Sequence, residues 1–340
     1  MKIEFRTLYL KKRFPLRISR GEITGGENLF VSVTDGTHTG WGEMAPGPSE
    51  GAGTADEGQR MLEAFGAPDP SIHKTWAAMR AAGVAPCAMA ALDMALWDLR
   101  AKQAGMPLYR LLGLAREAVV SSVTVGINPP EVVRERVPFL LDRGARALKI
   151  KLGSPEGIEA DKAMFAAVLE TARGTTLRVD ANGGWSLADA RHMMGWLAER
   201  GVDYVEQPLV RGAEDQLPDL FRDRALPIFL DESCRMSGDI PGFADCVDGV
   251  NLKLMKCGGI TEALRIVATA RAFGLQTMIG CMGESSVAIA AGASLGALFD
   301  YIDLDSHLNL DPDPAAGAPF EAGVTLPEDR PGHGGCPRDA

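Results

Sequence analysis

The chain has no run of the ~18 consecutive apolar residues that a membrane-spanning helix needs, so no membrane is expected as a partner. Its longest basic run is Lys11-Lys12-Arg13, and 45 acidic residues outnumber 35 basic ones for a formal net charge of -10. A surface that neutralises phosphates is not expected from that balance, so nucleic acid is not expected as a partner either. The six cysteines, Cys87, Cys234, Cys246, Cys257, Cys281 and Cys336, form no C-x-x-C pair, which argues against a zinc site or a disulfide framework and for reduced thiols. Met1 to Leu10 alternates charged and apolar residues without an apolar leader core, so the expected location is cytoplasmic.

What the chain does have is a series of short apolar runs that each end in a charge. They read Ala147-Leu148-Lys149-Ile150-Lys151, Leu177-Arg178-Val179-Asp180, Tyr204-Val205-Glu206, Ile228-Phe229-Leu230-Asp231 and Val250-Asn251-Leu252-Lys253. Length and flanking Gly, Pro or polar residues predict strands. Helical spacing fills stretches between them, such as Leu187 to Leu197 and Thr261 to Ala272. With Val119 to Val125, Gln276 to Ile279 and Tyr301 to Leu304, eight strands are predicted, which favours an α/β barrel of (β/α)8 type. An open doubly wound sheet is the alternative, but Val125-Gly126-Ile127-Asn128-Pro129 lacks the G-x-G-x-x-G spacing of its phosphate turn.

Residues 1–115 look different. Alternating strands at Ile3 to Leu8 and Leu29 to Thr34, a Gly-rich turn and helices through Leu112 predict a separate N-terminal α+β domain. Residues 116–310 hold the barrel. Residues 311–340, rich in Pro and Gly, are expected to pack back on the N-terminal domain, with Pro331-Gly332-His333-Gly334-Gly335 as a solvated tail.

In a barrel the C-terminal strand ends share one mouth, so the charges should converge. Three carboxylates suit a hard divalent cation such as Mg2+, one per site. Such an ion polarises a substrate carboxylate and stabilises the enediolate left when the adjacent C–H loses its proton. Residues two apart in a strand face the same way, so Lys149 and Lys151 both point into the mouth. Lys149 then supplies a positive field that should lower the pKa of a catalytic lysine. Lys253, four strands round a ring of eight, should approach from the opposite side, and two opposed bases permit inversion of a stereocentre. Of the five histidines only His307 falls near a strand end.

Taken in order, Lys149-Ile150-Lys151-Leu152-Gly153, Asp180-Ala181-Asn182-Gly183-Gly184-Trp185, Glu206-Gln207-Pro208-Leu209, Leu230-Asp231-Glu232-Ser233 and Asn251-Leu252-Lys253-Leu254-Met255-Lys256-Cys257-Gly258-Gly259 resemble the enolase superfamily. The branch is that of mandelate racemase and muconate lactonizing enzyme, and the dipeptide epimerases, of L-Ala-D/L-Glu epimerase type, are most similar. The helix Ala88 to Lys102, followed by Pro107-Leu108 and Leu111-Leu112-Gly113, resembles the same branch. The resemblance implies a modified (β/α)7β barrel with a capping domain completed by the C-terminal segment. It implies Asp180, Glu206 and Asp231 as Mg2+ ligands, Lys151 and Lys253 as acid/base catalysts, and Lys149 and Asn182 as supporting residues. A Lys base acting with Mg2+ is the pattern by which this superfamily is generally known.

The seventh-strand series Met278-Ile279-Gly280-Cys281-Met282-Gly283-Glu284-Ser285-Ser286 has no histidine, unlike the acid-sugar dehydratases, and resembles the G-C-M-x-E-S element of dipeptide epimerases, which brings in Glu284. Asp303-Leu304-Asp305 resembles the D-x-D pair that holds a dipeptide's free ammonium. Two same-facing carboxylates suit a cation. Alternatively one caps a turn and the other pairs with Lys256 or Lys253. Ser306 and His307 depart from the small or apolar residues usual after that pair. The C-terminal residue of the substrate would be read by a mobile loop at about residues 16–26, where Arg20 could hold a distal carboxylate such as that of glutamate; Arg17, or Lys12 ahead of the loop, could do so instead. The reaction expected is therefore two-base epimerisation of a small dipeptide, L-Ala-D/L-Glu first. The alternative is an N-acylamino acid racemase, an o-succinylbenzoate synthase or a muconate-type cycloisomerase; a homo-oligomer is compatible with either.

Overall fold

The computed structural model describes residues 1–340. Alternating side chains from Lys2 onward build β1 (Lys2–Ile18), which pairs antiparallel with β2 (Gly21–Thr34); β2 pairs in turn with β3 (Thr39–Met44). The segment expected as a loop at residues 16–26 is instead the end of this hairpin. Leu16, Arg17 and Ile18 pair with Ile23, Glu22 and Gly21, beyond a register break after Lys11, and only Ser19 and Arg20 form the tip. Strand β3 was hidden in the Gly-rich stretch. Gly40 and Gly42 are not turn residues there: a Cβ would fall 2.1 Å from the Ala95 carbonyl oxygen and 1.9 Å from that of Ala91, so glycine lets a helix lie directly on the strand.

That helix is the third of the cap: α1 (Ala55–Phe65), α2 (Ile72–Ala81), α3 (Pro86–Gln103) and the short α4 (Leu108–Leu111) follow in order. Thr54 and Ser71 cap the first two by accepting from the backbone N–H of Glu57 and Lys74. Helix α3 starts with Pro86 and is apolar almost all round, so it is buried between cap and barrel.

The barrel follows as β4 (Ser122–Val125), α5 (Pro130–Asp142), β5 (Ala147–Lys151), α6 (Ile158–Thr171), β6 (Thr176–Asp180), α7 (Leu187–Ala198), β7 (Val202–Glu206), α8 (Leu217–Arg222) and β8 (Ile228–Leu230). Then come β9 (Gly249–Lys253), the single turn α9 (Leu254–Cys257), α10 (Ile260–Ala272), β10 (Gln276–Gly280), α11 (Ser286–Ala293) and β11 (Tyr301–Asp303). The eight strands are parallel and neighbour one another in sequence order, and a bridge between Ser121 and Ile302 closes the seam. The connection from β8 to β9 holds only a 3-10 turn, Ser237–Gly242, in place of a helix. The helices expected from Leu187 and Thr261 are α7 and α10. Arg178, Tyr204, Phe229 and Tyr301 stack inside the closed end, with Arg178 5.0 Å from the Tyr301 ring.

The C-terminal residues do not form a solvated tail. His333 is fully buried, its backbone N–H donates to Asp98 Oδ1 at 2.8 Å, and its Nε2 lies 2.7 Å from the Trp41 carbonyl oxygen. Gly335 N–H donates to His333 Nδ1, so the ring is neutral with its proton on Nε2, and burial lowers its pKa accordingly. The small glycines around His333 suggested exposure; they serve close packing, since Gly332 lies against Asp98 and Gly335 against the Ser286 and Val287 backbone. Further out, Asp339 takes a two-pronged contact from Arg6 at 2.6 and 2.7 Å.

Candidate active site

Strands β6, β7 and β8 each deliver one acid to the mouth. Asp180, Glu206 and Asp231 are buried, and one oxygen from each lies within 4.8 Å of the others. Lys151 Nζ sits 2.6 Å from Asp180 Oδ2 and Lys253 Nζ 2.6 Å from Asp231 Oδ2. Their strands, β5 and β9, stand half a circumference apart in a ring of eight. Lys149, one pleat below Lys151, contacts Glu206 Oε2 at 2.7 Å and Asp180 Oδ2 at 3.3 Å.

Burial opposes every charge here, and the balance differs from group to group. At Asp180, Lys151 and Lys149 overcome burial and hold the pKa down at about 2. Asp231 is held low by Lys253 and Lys256. Glu206, next to Asp180 and with less compensation, is pushed up to about 8 by burial and that neighbouring charge. Three carboxyl groups this close, one of them pushed toward its neutral form by burial and by the others, can ionise together only beside a cation. Glu206 Oε2 and Asp231 Oδ1 are buried without an aligned hydrogen bond, and an all-oxygen donor set of this kind fits a hard divalent ion such as Mg2+. At Lys253 the pKa is raised: burial and Lys149 pull it down, but Asp231 in contact outweighs them.

The surrounding residues fix these side chains. Asn182 and Gln207, just past β6 and β7, adopt φ of +44° and +38°, strained values for residues with side chains. Asn182 donates from Nδ2 to Asp180 Oδ2, and Gln207 Oε1 accepts from the Asp231 N–H. Asn251 Nδ2 donates to Glu206 Oε1 at 2.7 Å. Asp161 accepts from Gly153, Ser154 and the Trp185 indole, drawing the loops after β5 and β6 together. Sequence reasoning gave Lys256 only a pairing role with Asp303 or Asp305. The turn α9 returns it beneath Asp231, 2.5 Å from Oδ1, where it also donates to the carbonyls of Asn251 and Cys234. The signal was the three-residue spacing from Lys253, one helical turn.

The other expected residues lie at the rim. Asp303 Oδ2 is 2.5 Å from Lys149 Nζ, not from Lys256 or Lys253, while its buried Oδ1 has no partner. Asp305 Oδ2 accepts from the Thr124 N–H at 2.6 Å, and burial with Asp303 nearby raises its pKa. Glu284 is buried, accepts from the Met282 N–H and is pushed up to about 8 by burial, with Glu43 adding to the effect. Glu43 on β3 accepts from Ser285 N–H, Ser285 Oγ and Ala288 N–H, so a cap residue holds the start of α11. Arg20 is already engaged: it donates to the Asn182 carbonyl at 2.9 Å and to Glu232 Oε1 at 2.7 Å, and Ser19 Oγ donates to the same carbonyl. Arg17 pairs with Glu156 at 2.6 Å. Lys12 is buried beside Cys281 and Asp305, and burial lowers its pKa.

Comparison with known proteins agrees with this arrangement. Family models described as mandelate racemase/muconate lactonizing enzyme, N-terminal domain, and as enolase C-terminal domain-like match residues 2–113 and 132–339. A hydrophobic dipeptide epimerase of Roseobacter litoralis is 79% identical over 339 residues, 98% of each chain. A second protein of that name, from a Flavobacteria bacterium, is 59% identical over 98% of this chain and 97% of its own. The crystal structure of a dipeptide epimerase from Enterococcus faecalis V583, complexed with Mg and the dipeptide L-Leu-L-Tyr, superposes with a TM-score of 0.91 at 33% identity, covering 98% of both chains. With cap and barrel both matched and the acids and lysines gathered at one mouth, the chain belongs to the mandelate racemase/muconate lactonizing enzyme family of the enolase superfamily.

Proposed function

We propose that the protein is a Mg2+-dependent dipeptide epimerase that inverts the α-carbon of the C-terminal residue, acting in the cytoplasm on dipeptides with hydrophobic side chains. The observation that carries this reading is the pair Lys151 and Lys253, each in contact with one end of a single acid triad from opposite sides of the ring. The relatives at 79% and 59% identity, both hydrophobic dipeptide epimerases, support it, and six cysteines without a disulfide suit the location.

Asp180, Glu206 and Asp231 would hold the ion. When bound, Mg2+ offsets the acids and draws electron density from the substrate carboxylate, making the α-proton acidic. The chain's own residues do the rest. One lysine, neutral, takes the α-proton, and the opposite lysine, charged, returns one to the other face; the two exchange roles in the reverse direction. Lys149, held charged by Asp303, Glu206 and Asp180 against the pull of burial, stays out of proton transfer. The hairpin tip at Ser19 and Arg20 covers the mouth and excludes water.

The unpartnered Asp303 Oδ1 favours a substrate with a free ammonium over an N-acylamino acid or a cycloisomerase substrate. With Arg17 and Arg20 both committed to glutamates, no lid guanidinium is free for a distal carboxylate, which favours hydrophobic dipeptides over L-Ala-D/L-Glu. Proton NMR in D2O with Mg2+ tests the reading on L-Leu-L-Tyr, L-Ala-L-Glu and N-acetyl-L-phenylalanine. Loss of the C-terminal α-proton signal with inversion in L-Leu-L-Tyr is expected. Exchange confined to the acylated amino acid would overturn the reading, and exchange confined to L-Ala-L-Glu would overturn its hydrophobic specificity.

A further inference from the structure

Beside the mouth the barrel carries a cavity of about 620 Å3, within the range of small-molecule sites, between β4, α5, the β1 strand and the residues after β11. The mouth lysines and triad acids do not line it; Asp305 of the D-x-D pair is where it adjoins the mouth.

His307 stands in its wall with 9% of its surface exposed, but its ring nitrogens are covered and lie toward the Ala318 backbone; burial pushes its pKa down to about 4, so the ring is neutral. The apolar part of the wall is aromatic: Phe14 and Phe139 meet edge to face at 5.4 Å.

The charge of the lining opposes that of the protein. Four arginines, Arg13, Arg136, Arg143 and Arg338, face two acids, Asp305 and Asp313, in a chain of net charge -10. Both acids are spoken for, Asp305 by the Thr124 N–H and Asp313 by Ser286 and Ala315. Arg13 pairs with Asp311 at 3.3 Å, and Arg338 donates to the Asp313 carbonyl. Arg136 and Arg143 have no acid at all. They stack on Phe14 at 4.2 Å and Phe139 at 5.3 Å, each leaving its guanidinium edge without an anion.

We propose that this cavity is a binding site for a small aryl or alkyl carboxylate, with the carboxylate on Arg136 and Arg143 and the apolar body against Phe14, Phe139 and the His307 wall. Guanidinium groups bind carboxylates by charge-assisted hydrogen bonds, and the aromatic pair supplies the rest of the contact. The site adjoins the proposed epimerase site at Asp305 but takes in neither its lysines nor its acid triad.

Calorimetry with 4-hydroxyphenylacetate on the full chain tests it. Binding with the same affinity in Mg2+ and after chelation is expected, with none for the amine tyramine. In the uniformly 15N-labelled protein the His307 ring resonances should shift on titration. Arg136→Gln, a half-buried position outside the barrel mouth, should weaken binding about tenfold. Absence of binding, equal binding of tyramine, a requirement for Mg2+, an unmoved His307 resonance or an unchanged affinity in Arg136→Gln would each overturn the proposal.

Discussion

The ammonium of Lys149 lies 2.5 Å from Asp303 Oδ2, so a single buried charge ties the eighth barrel strand, β11, to the acids of the third and fourth, Asp180 on β6 and Glu206 on β7. Lys149→Met removes the cation and leaves those carboxylates facing one another. The metal-free variant should lose about 3–5 kcal/mol of stability, the usual cost of breaking a buried pair. It should bind Mg2+ more tightly than the wild type, because a competing cation has gone. Denaturation with and without Mg2+ and a metal titration check both; weaker Mg2+ binding would contradict the electrostatic account.

Two opposed bases predict a particular failure when one is lost. Lys151→Ala and Lys253→Ala should each reduce epimerisation by about 10²–10⁴-fold. Each should still exchange the α-proton of one epimer in D2O, and the surviving epimer should differ between the two variants. If both variants exchange the same epimer, the lysines do not serve opposite faces.

Glycine substitutions separate close packing from mere flexibility. Gly42→Ala places a methyl 1.9 Å from the Ala91 carbonyl oxygen and should cost about 3 kcal/mol, because neither strand nor helix backbone can yield. Gly195→Ala in α7 meets nothing within 4 Å and should stabilise by about 0.5–1 kcal/mol. Thermal melts of the two variants give the comparison.

Asp93 on α3 accepts from Thr261 N–H and Oγ1 at the start of α10, and burial pushes its pKa up to about 7 from 3.8. A raised acid favours folding fully below the unfolded pKa and loses that contribution as pH rises through the folded one. The wild type should therefore be more stable relative to Asp93→Asn at pH 5 than at pH 7.5, with a slope of at most about 1.4 kcal/mol per pH unit. Melting temperatures of both proteins at the two pH values decide the sign.

Much of this site was legible because each strand carries one charge at the same end of a short apolar run, and the closure of a barrel turns that linear pattern into a ring. Lys151, Asp180, Glu206, Asp231 and Lys253 could be placed at one mouth on that ground alone. The contact of Lys149 with Asp303 could not, since 154 residues separate them and only the seam between first and last strand brings them together. Strand β3 was missed because glycine reads as a breaker when its partner helix is not in view. His333 was misread for the same reason: a polar residue among glycines suggests solvent until a buried acid such as Asp98 is found to receive it.

The lock between Asp98 and His333 also orders events during synthesis. A ribosome delivers α3 long before it delivers His333, 235 residues later, and Asp98 spends that interval without the backbone N–H it finally accepts. Domains made first normally fold first. Here the contact that joins α3 and β3 to the C-terminal segment cannot form until the whole barrel has been translated, so the last stretch to leave the ribosome completes the part of the chain made first.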